Sequence, residues 1–481
     1  MPVSLFVSAV TLGVFLWLGL HGLHRTLLLL RFRWRARPAE ETTPLPTDSP
    51  VVTVQLPLFN ERTVVRRLIQ AVGALDWPAD RLEIQVLDDS TDETRDAVDE
   101  EVARLVARGL DAKVLRRADR VGFKAGALDH GLRHARGDLV CIFDADFLPA
   151  ADFLRRTLPA FEDERIGMVQ ARWEHVNRDE SPLTRAQSAL LDGHFVIEHK
   201  VRHDHGLFFN FNGTAGIWRR RAIEDAGGWQ HDTLTEDLDL SYRAQLAGWR
   251  FRYLPMVCAP AEVPPTMTSF KTQQHRWAKG SLQVAKKLGP SILRARLPLA
   301  VKLEAAAHLL GYTGHPALLV FALLVPFSVG RGAFLDGFGS FAMFLLCTAS
   351  VFTFYDRSQR AVGRGLRARL AEVPAAVALG IGLSVNQTRA VLEGLFGSTG
   401  EFVRTPKRGT RSADDRARTY LARPEALPGI ELLLAAWFAW ALTIALQAGS
   451  WGWVPFLILF LWGFSWVGVG SLRDYLHARG A

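Results

Sequence analysis

Apolar residues are concentrated at the two ends of this 481-residue chain, and a long polar stretch separates them. Residues Val3 to Leu20 are almost continuously apolar, and four arginines follow at alternate positions within residues 31–37. This pattern predicts a membrane helix over residues 1–30 and a basic linker over residues 31–49. A secretory signal would carry its positive charge before the apolar run. The positive-inside rule therefore predicts an outside amino terminus and a cytoplasmic polar stretch.

Apolar windows return after residue 300, and two Arg-rich stretches, 357–369 and 404–423, interrupt them. The positive-inside rule keeps both stretches in the cytoplasm, so the window between them must begin and end on one side. That window, Val373 to Phe396, carries polar and charged side chains within residues 386–393, and we expect an amphipathic helix in the membrane interface. A membrane domain over 301–481 then holds four of five predicted spans. These four spans are Ala305–Val329, Phe338–Phe354, Leu432–Leu446 and Val454–Leu472.

Between the apolar ends, short β-branched runs alternate with longer amphipathic stretches. Alternation of strand and helix predicts an α/β domain with a mainly parallel sheet, here over residues 50–270. Ligands of such sheets bind at the carboxyl ends of the strands, where polar residues follow most of the runs. The predicted strands are Val51–Leu56, Glu83–Leu87, Lys113–Leu115, Leu139–Phe143 and Met168–Ala171.

Pairs of carboxylates follow two of these strands. Asp88 and Asp89 follow the second strand, and Asp144 and Asp146 follow the fourth. A lone Asp in such a position is about as often the N-cap of the next helix. Two close pairs are harder to explain as caps, because neighbouring carboxylates repel unless a cation or ligand offsets their charge. Oxygen ligands at alternate positions suit Mg²⁺ or Mn²⁺, which bridge substrate phosphates. The pattern predicts a metal site at Asp144 and Asp146.

Three further motifs carry basic, acidic and aromatic side chains. Lys124 lies in a glycine-flanked turn that opens a predicted helix, where an ammonium and backbone N–H groups can meet a phosphate. The other two are Thr235-Glu236-Asp237 and Gln273-x-x-Arg276-Trp277, the latter within interface helices predicted over 271–300. Each has an ordinary alternative as a solvated lysine, a helix start or an interfacial tryptophan. Their occurrence in this order, after two carboxylate pairs, favours a shared site.

The amino-acid composition excludes several classes of protein for this chain. The content of 49% hydrophobic and 22% charged residues excludes a disordered or collagen-like chain. The three cysteines, Cys141, Cys258 and Cys347, lie too far apart for a disulfide framework or a structural zinc site. The net charge of +8 does not by itself distinguish nucleic acid, anionic lipid and a phosphorylated substrate.

Taken together, the motifs resemble those of family 2 glycosyltransferases of the membrane-embedded, processive kind. The resemblance rests on Asp88-Asp89, Asp144-x-Asp146, Thr235-Glu236-Asp237 and Gln273-x-x-Arg276-Trp277 in this order, with apolar helices on both sides. It implies a GT-A, Rossmann-like catalytic domain in the cytoplasm, embedded between transmembrane helices. It also implies a nucleotide sugar, a polysaccharide acceptor and a lipid bilayer as partners, with no nucleic acid.

A closer resemblance is to the cellulose-synthase-like branch that makes mannan, glucomannan and xyloglucan backbones. It is carried by segments beginning at Gln55, Gln85, Phe143, Val169 and Phe211, among them Gln55-Leu-Pro-Leu-Phe-Asn-Glu61 and Phe211-Asn-Gly-Thr-Ala-Gly216. The branch implies inverting transfer of a hexose from GDP-mannose or UDP-glucose to a β-1,4-linked polymer that is exported. It also implies a multi-pass protein of a bacterial inner or plasma membrane, or of the Golgi in a eukaryote. The oligomeric state stays open.

The resemblance implies a role for each matched residue. Asp237, with Glu236, would supply the catalytic base, and Arg276 and Trp277 would grip the pyrophosphate and stack under the terminal acceptor sugar. The implied donor-binding residues are Pro57, Glu61, Asp88, Asp89, Lys124, Asp144, Gln273, Arg276, Thr405 and Lys407. The implied acceptor-binding residues are Asn212, Gly213, Thr214 and Trp277, and the implied metal ligands are Asp144 and Asp146. Thr405 and Lys407 belong to a segment at 398–410 that resembles a gating loop.

Two alternatives remain open at this level. A non-processive enzyme that adds one sugar to a lipid acceptor would use the same catalytic groups. A transporter or scaffold would use the domain only to bind a nucleotide, although transporters commonly show internal repeats and this sequence shows none. Trp173 joins Trp277 as an expected sugar contact, because the apolar faces of sugars stack on aromatic rings.

Overall fold

A seven-stranded mixed sheet forms the centre of the polar region. The computed structural model describes residues 3–34, 49–329, 338–397 and 429–480. The strand order is β3-β2-β1-β4-β6-β5-β7, where β1 to β4 are parallel and β6 is antiparallel to both of its neighbours. The strands are β1 Val52–Leu58, β2 Leu82–Asp88, β3 Asp111–Leu115, β4 Leu139–Ile142, β5 Ile166–His175, β6 Gly216–Arg219 and β7 Arg250–Ala261.

The observed sheet confirms the predicted α/β class and all five predicted strands, with shifted ends. The sequence reading missed β6 and β7. β6 has only four residues, and β7 begins with alternating arginines, Arg250 and Arg252. Neither segment shows the run of β-branched residues that marks a buried strand. Because β6 runs antiparallel, the sheet is less uniformly parallel than expected.

Helices cover both faces of the sheet. Helices α2, α3 and α5 pack on one face through residues such as Leu68 and Val98, and α4, α8 and α9 pack on the other through Leu128 and Leu240. The helices of this region are α2 Val65–Val72, α3 Thr94–Ala107, α4 Phe123–Arg133, α5 Phe153–Thr157, α6 Pro182–Asp192, a π-helix Gly193–His199, α7 Lys200–Asp204, α8 Arg220–Asp225 and α9 Glu236–Leu246. The three cysteines are free.

The remaining helices are long and apolar. Among the described residues, three helical stretches are long and apolar enough to cross a membrane: Val10–Arg31, Gly429–Gln447 and Trp451–Ala478. The number rises to five if each of two bent helix pairs is one span. The helices are α1 Val3–Arg31, α10 Met267–Arg294, α11 Leu299–Leu309, α12 Gly314–Leu324, α13 Phe338–Ala361, α14 Leu366–Gly382, α15 Ser384–Phe396, α16 Gly429–Gln447 and α17 Val454–Gly480.

Two predicted helices are bent in the structure. The predicted span Ala305–Val329 is divided between α11 and α12, which meet at 54°. The predicted interfacial helix Val373–Phe396 is likewise divided at Leu383, where α14 and α15 meet at 48°. A run of apolar residues predicts a helix but does not indicate whether the helix is straight, so the sequence could not predict these bends. The predicted span Phe338–Phe354 lies within α13.

Ion pairs join the sheet domain to the apolar helices. Arg178, just before α6, pairs with Glu372 of α14, and both side chains are less than one-tenth exposed. Lys271 of α10 lies 2.7 Å from the buried carboxylate of Glu431 at the start of α16. Breaking a buried pair leaves an uncompensated charge, so these contacts fix how the two regions meet.

Candidate active site

A cavity of about 180 Å³ lies at the carboxyl edge of the parallel strands, as the sequence predicted. We call it the donor cavity. Residues from the ends of five strands (β1, β2, β4, β5 and β7), from the loop before β6 and from helices α4, α9 and α10 converge on it. The predicted site residues that line it are Pro57, Glu61, Asp89, Lys124, Asp144, Asp146, Asn212, Gly213, Glu236, Asp237, Gln273, Arg276 and Trp277.

Lys124 is held on the wall of the donor cavity by two hydrogen bonds. Its Nζ donates to Asp144 Oδ1 at 2.5 Å and to the Gly213 carbonyl at 2.8 Å. Burial alone would lower the pKa of this lysine, but attraction by Asp144 and Glu236 raises it overall. Lys124 is therefore a fixed positive charge on the cavity wall.

Backbone conformation allows these groups to approach one another. Gly213 has φ +81°, and a Cβ there would lie 3.0 Å from Asp237 Oδ2 and 3.4 Å from Lys124 Nζ. Phe123, immediately before the lysine, has φ 48°, and Ala215 has φ 55°. Left-handed non-glycine residues cost about 1–3 kcal/mol each and cluster at functional sites. The sharp turn at Phe123 directs Lys124 into the cavity.

Asp237 is the most perturbed acid at this site. It lies in the first turn of α9, and its Oδ1 accepts a hydrogen bond from the Leu238 N–H at 2.8 Å. Burial raises its pKa to about 7, and the neighbouring Glu236 acts in the same direction. A general base is most effective when its pKa is near the working pH. Asp237 thus has the protonation behaviour expected of a base near neutral pH.

The loop that carries this acid packs closely on α10. A Cβ at Gly280 would lie 2.5 Å from the Thr235 side chain, so the glycine lets the loop touch the helix. Gly280 follows Arg276 by one helical turn. The Thr-Glu-Asp and Gln-x-x-Arg-Trp motifs therefore form one wall of the cavity, although Asp237 and Gln273 are 36 positions apart in the chain.

Two arginines that the sequence did not predict, Arg117 and Arg120, contribute to the wall of the donor cavity near Asp89. Arg117 binds both carboxylate oxygens of Asp89, at 3.1 and 2.5 Å. The guanidinium of Arg120 lies 3.3 Å from the ring centroid of Phe59 and 5.1 Å from that of Phe123. Such an aromatic and cationic wall can stack on a planar base. Arginines between a strand and a helix are common, so their sequence carried no specific signal.

Asp88 does not line the donor cavity, unlike its neighbour Asp89, and its expected contact with the nucleotide stays a prediction. Its side chain is 2% exposed, and Oδ2 accepts from Arg116 Nε at 2.9 Å. Its other oxygen accepts from the Ser90 N–H at 3.0 Å. Asp88 closes the turn after β2 and so positions Asp89; it is not the N-cap of the following helix α3, whose N-cap is Glu93.

Thr214 is likewise absent from the cavity walls. It is fully buried and lines neither cavity of this site, and its hydroxyl accepts from the Asp144 N–H at 2.8 Å. Its side chain positions Asp144, and its expected contact with the acceptor stays a prediction. Thr405 and Lys407, with the segment 398–410, lie outside the described residues.

A second cavity, of about 370 Å³, meets the donor cavity at Asp237, and we call it the helix cavity. Its wall comes from α1, the π-helix, α10, α11 and α13, with histidine, aromatic and amide side chains. The two cavities share Trp173, Leu191, Asn212, Thr235, Asp237, Gln273 and Trp277. Asp237 and both expected sugar-contacting tryptophans thus lie at the junction.

Asp144 and Asp146 fit a divalent cation. Both carboxylates line the donor cavity, and one Asp146 oxygen accepts from the Glu262 N–H at 3.2 Å. Within the described ranges, no group of three acidic, histidine or cysteine side chains forms a complete metal site. Two carboxylates suffice where phosphate oxygens and water supply the other ligands.

Comparison with known proteins agrees with this architecture. Residues 49–280 match the model of the glycosyltransferase-like family 2. The structure of the mannosyltransferase PcManGT from Pyrobaculum calidifontis, in complex with GDP-Man and Mn²⁺, aligns with a TM-score of 0.54 at 22% identity, over 81% of this chain and 99% of that one. Residues 49–280 are therefore similar to glycosyltransferase family 2 domains and have the GT-A fold.

Curated proteins of similar sequence indicate which branch of the family this domain resembles. Glucomannan 4-beta-mannosyltransferase 2 of Arabidopsis thaliana is 46% identical over 54% of this chain and 50% of its own length. Glucomannan 4-beta-mannosyltransferase 1 of Oryza sativa subsp. japonica is 46% identical over 54% of this chain and 52% of its length. The chain spans about half the length of these curated relatives. The domain is thus similar to the cellulose-synthase-like mannosyltransferases, as the sequence motifs implied.

Proposed function

We propose that the chain transfers a hexose, with inversion, from a nucleotide sugar to the end of a growing β-1,4-linked polysaccharide such as mannan or glucomannan. The observation that carries the proposal is the position of Asp237. This half-buried acid, whose pKa is about 7, lies where the donor cavity meets the helix cavity. A base at a junction of this kind can act on an acceptor that enters from one side and a donor that binds on the other.

The reaction uses groups from both sides of the junction. The acceptor hydroxyl gives its proton to Asp237, its oxygen bonds to the sugar C1, and the bond from C1 to the diphosphate breaks. Lys124 and Arg276 meet the negative charge that builds on the departing diphosphate, and such preorganised charge is usually the largest catalytic contribution. Attack opposite the leaving group converts an α-linked donor into a β-linkage.

We propose that Asp144 and Asp146 hold Mg²⁺ or Mn²⁺ at the diphosphate. A bound divalent cation supplies further neutralisation of the leaving group. Support comes from the two carboxylates on the cavity wall beside Lys124, whose ammonium already approaches Asp144. In the archaeal neighbour of similar fold, GDP-Man and Mn²⁺ are bound together.

GDP-mannose is the donor we favour over UDP-glucose. Its support is the set of relatives named as glucomannan 4-beta-mannosyltransferases, which are 41–46% identical over about half the chain. Their names also favour a polysaccharide over a lipid as the acceptor.

We further propose that the catalytic domain lies in the cytoplasm, on a bacterial inner or plasma membrane or, in a eukaryote, on the Golgi membrane, and that the polymer is exported between the apolar helices. Single cysteines at Arg364 and Arg411, in a protein lacking its native cysteines, should resist an impermeant thiol reagent applied outside. Labelling of either one would contradict this orientation and any role for Thr405 and Lys407 over the donor cavity.

Product analysis tests the proposed function. Purified protein is incubated with radiolabelled GDP-mannose or UDP-glucose and a β-1,4-mannan oligosaccharide, and the product is digested with β-mannanase or β-glucanase. We expect a GDP-mannose-dependent polymer that β-mannanase degrades. A lipid-extractable single-sugar product, or no transfer from either donor, would contradict the proposal.

A further inference from the structure

The helix cavity contains a polar cluster that none of the sequence motifs included. Two of its members, His194 and Glu198, lie in the π-helix Gly193–His199. Their side chains are hydrogen-bonded, with His194 Nδ1 3.0 Å from Glu198 Oε2. π-Helices are rare and are frequently found at functional sites. Both residues line the helix cavity and neither lines the donor cavity.

Close packing holds this π-helix in place. A Cβ at Gly193 would lie 2.7 Å from a ring carbon of Phe354 and 2.9 Å from one of Tyr355, both on α13. The glycine allows the two aromatic rings to contact the backbone. The pair formed by His194 and Glu198 is thereby presented from a rigid element, as precise recognition requires.

His194 also reaches the junction of the two cavities. Its Nε2 lies 3.0 Å from Asn212 Oδ1, and Asn212 lines both cavities. The amide nitrogen of Asn212 lies 2.8 Å from His199 Nε2. A hydrogen-bonded connection therefore runs from Glu198 through His194 to a residue at the junction where Asp237 lies.

Charged groups behind Glu198 fix its position and ionisation. Arg202, 2% exposed, lies 3.4 Å from Glu198 Oε2 and 2.9 Å from Glu304 Oε1. Glu304 is in turn 2.9 Å from His24 of α1. Burial would raise the pKa of Glu198, but Arg202 and His194 hold it below its ordinary value. Glu198 is therefore an anionic hydrogen-bond acceptor on the cavity wall.

This cluster is more than an internal ion pair. Two carboxylates, Glu198 and Glu304, share the single guanidinium of Arg202, so acceptor capacity remains. The side chains of His194 and Glu198 are 27% and 29% exposed, although the cluster lies deep between helices. Aromatic walls with a few fixed polar groups are typical of small-ligand sites. Hydroxyl groups of a neutral sugar can donate to a carboxylate of this kind.

We infer that His194 and Glu198 bind a sugar of the acceptor chain behind its terminal residue, and so place the terminal hydroxyl at Asp237. The inference rests on the proposed function for the identity of the acceptor. The ligand class is a neutral β-1,4-linked oligosaccharide. The two residues act on acceptor binding and take no part in bond breaking.

Equilibrium binding to the full-length protein tests this inference without turnover. Glu198→Gln and His194→Gln are compared with wild type for binding of β-1,4-mannotetraose and, separately, GDP-mannose. His203→Gln is the matched control, because His203 lies on the adjoining helix α7 and outside both cavities. Loss of a charge-assisted hydrogen bond predicts that Glu198→Gln weakens mannotetraose binding about tenfold or more. GDP-mannose binding should stay within about twofold of wild type, since the diphosphate site is separate.

Thermal unfolding of each variant separates binding from folding. If Glu198→Gln unfolds, His194→Gln still tests acceptor binding, because it keeps the ion pairs of Arg202 with Glu198 and Glu304. Unchanged mannotetraose binding in the folded variants would overturn the inference, as would equal losses of mannotetraose and GDP-mannose binding. Wild-type protein that binds mannotetraose as described but transfers no hexose would instead contradict the proposed function alone.

Discussion

The donor cavity and the helix cavity meet at one carboxylate but are built in different ways. The donor cavity is formed by short motifs that follow strands, and its wall is dominated by charged groups such as Lys124, Asp144 and Arg276. The helix cavity is formed by single residues from helices that are distant in sequence, such as His24 and Glu198. Its wall combines aromatic rings, histidines and amides.

This difference follows from the ligands that each cavity suits. A diphosphate requires concentrated positive charge in a fixed geometry. A neutral sugar chain requires flat apolar surfaces and dispersed hydrogen-bonding groups. Asp237 lines both cavities, and its pKa is set by burial together with nearby charges. Variants on the two sides should therefore separate donor effects from acceptor effects.

The largest effect is expected for Asp237→Asn, which removes the base with little change in volume. Loss of general base catalysis should reduce kcat by about 10²–10⁴-fold, while GDP-mannose binding survives. Asp232→Asn, at an exposed carboxylate nearby in sequence, is the control. Turnover of Asp237→Asn close to wild type would show that another group accepts the proton.

Removal of divalent metal should act on the donor cavity alone. Excess chelator is expected to reduce hexose transfer by about 10²-fold or more, because charge on the leaving diphosphate is no longer neutralised. Mannotetraose binding, measured in parallel, should be unaffected. Transfer at full rate in chelator would assign Asp144 and Asp146 to contacts with the nucleotide or backbone.

Lys124→Met keeps the length of the side chain and removes its charge. We expect GDP binding to weaken about tenfold to a hundredfold, because charge-assisted bonds contribute about 1.5–3 kcal/mol. Arg133→Met, at an exposed residue of the same helix, controls for general charge loss. Equal GDP affinity in Lys124→Met and wild type would place the diphosphate elsewhere.

The pH dependence of kcat/KM should report Asp237. Because its pKa is raised to about 7, the acid becomes protonated as the pH falls through 7. Below that value kcat/KM should fall about tenfold per pH unit, since only the ionised form can accept a proton. A profile that is flat from about two pH units below this pKa of about 7 to about one unit above it would contradict the assignment.

The smallest expected effect is on stability. The folded pKa of Asp237 exceeds its ordinary value of 3.8, so between about pH 4 and 7 the folded protein holds a proton that the unfolded chain has lost. Stability therefore declines as the pH rises through this window, and the cost is fully present above pH 7. Asp237→Asn removes the cost and should raise Tm at pH 8 by about 1–3 °C. A lower Tm would mean that the carboxylate stabilises the fold.

The donor cavity could be predicted because its residues follow predicted strands. Parallel strands bring their carboxyl ends to one edge, so Asp89, Lys124 and Asp144 had to converge once the sheet was recognised. The sequence could not show that Asp88 turns inward, because the alternation of side chains along a strand depends on its exact end.

The helix cavity had no comparable signal. His194, Glu198 and Arg202 lie in an ordinary amphipathic stretch, and the π-helix that arranges them has no sequence signature. Their partner Glu304 is 102 residues beyond Arg202 and meets it only through tertiary packing. Apolar windows likewise predicted the long helices α1, α16 and α17 but not the bends that divide two other windows.

A structure of the full chain with a non-transferable GDP-mannose analogue and mannotetraose tests the central claim most directly. We expect the diphosphate beside Lys124 and Arg276, the tetrasaccharide in the helix cavity, and its terminal O4 within about 2.6–3.2 Å of the Asp237 carboxylate. A tetrasaccharide bound outside the helix cavity, or a terminal hydroxyl directed at a different acid, would contradict transfer at this junction.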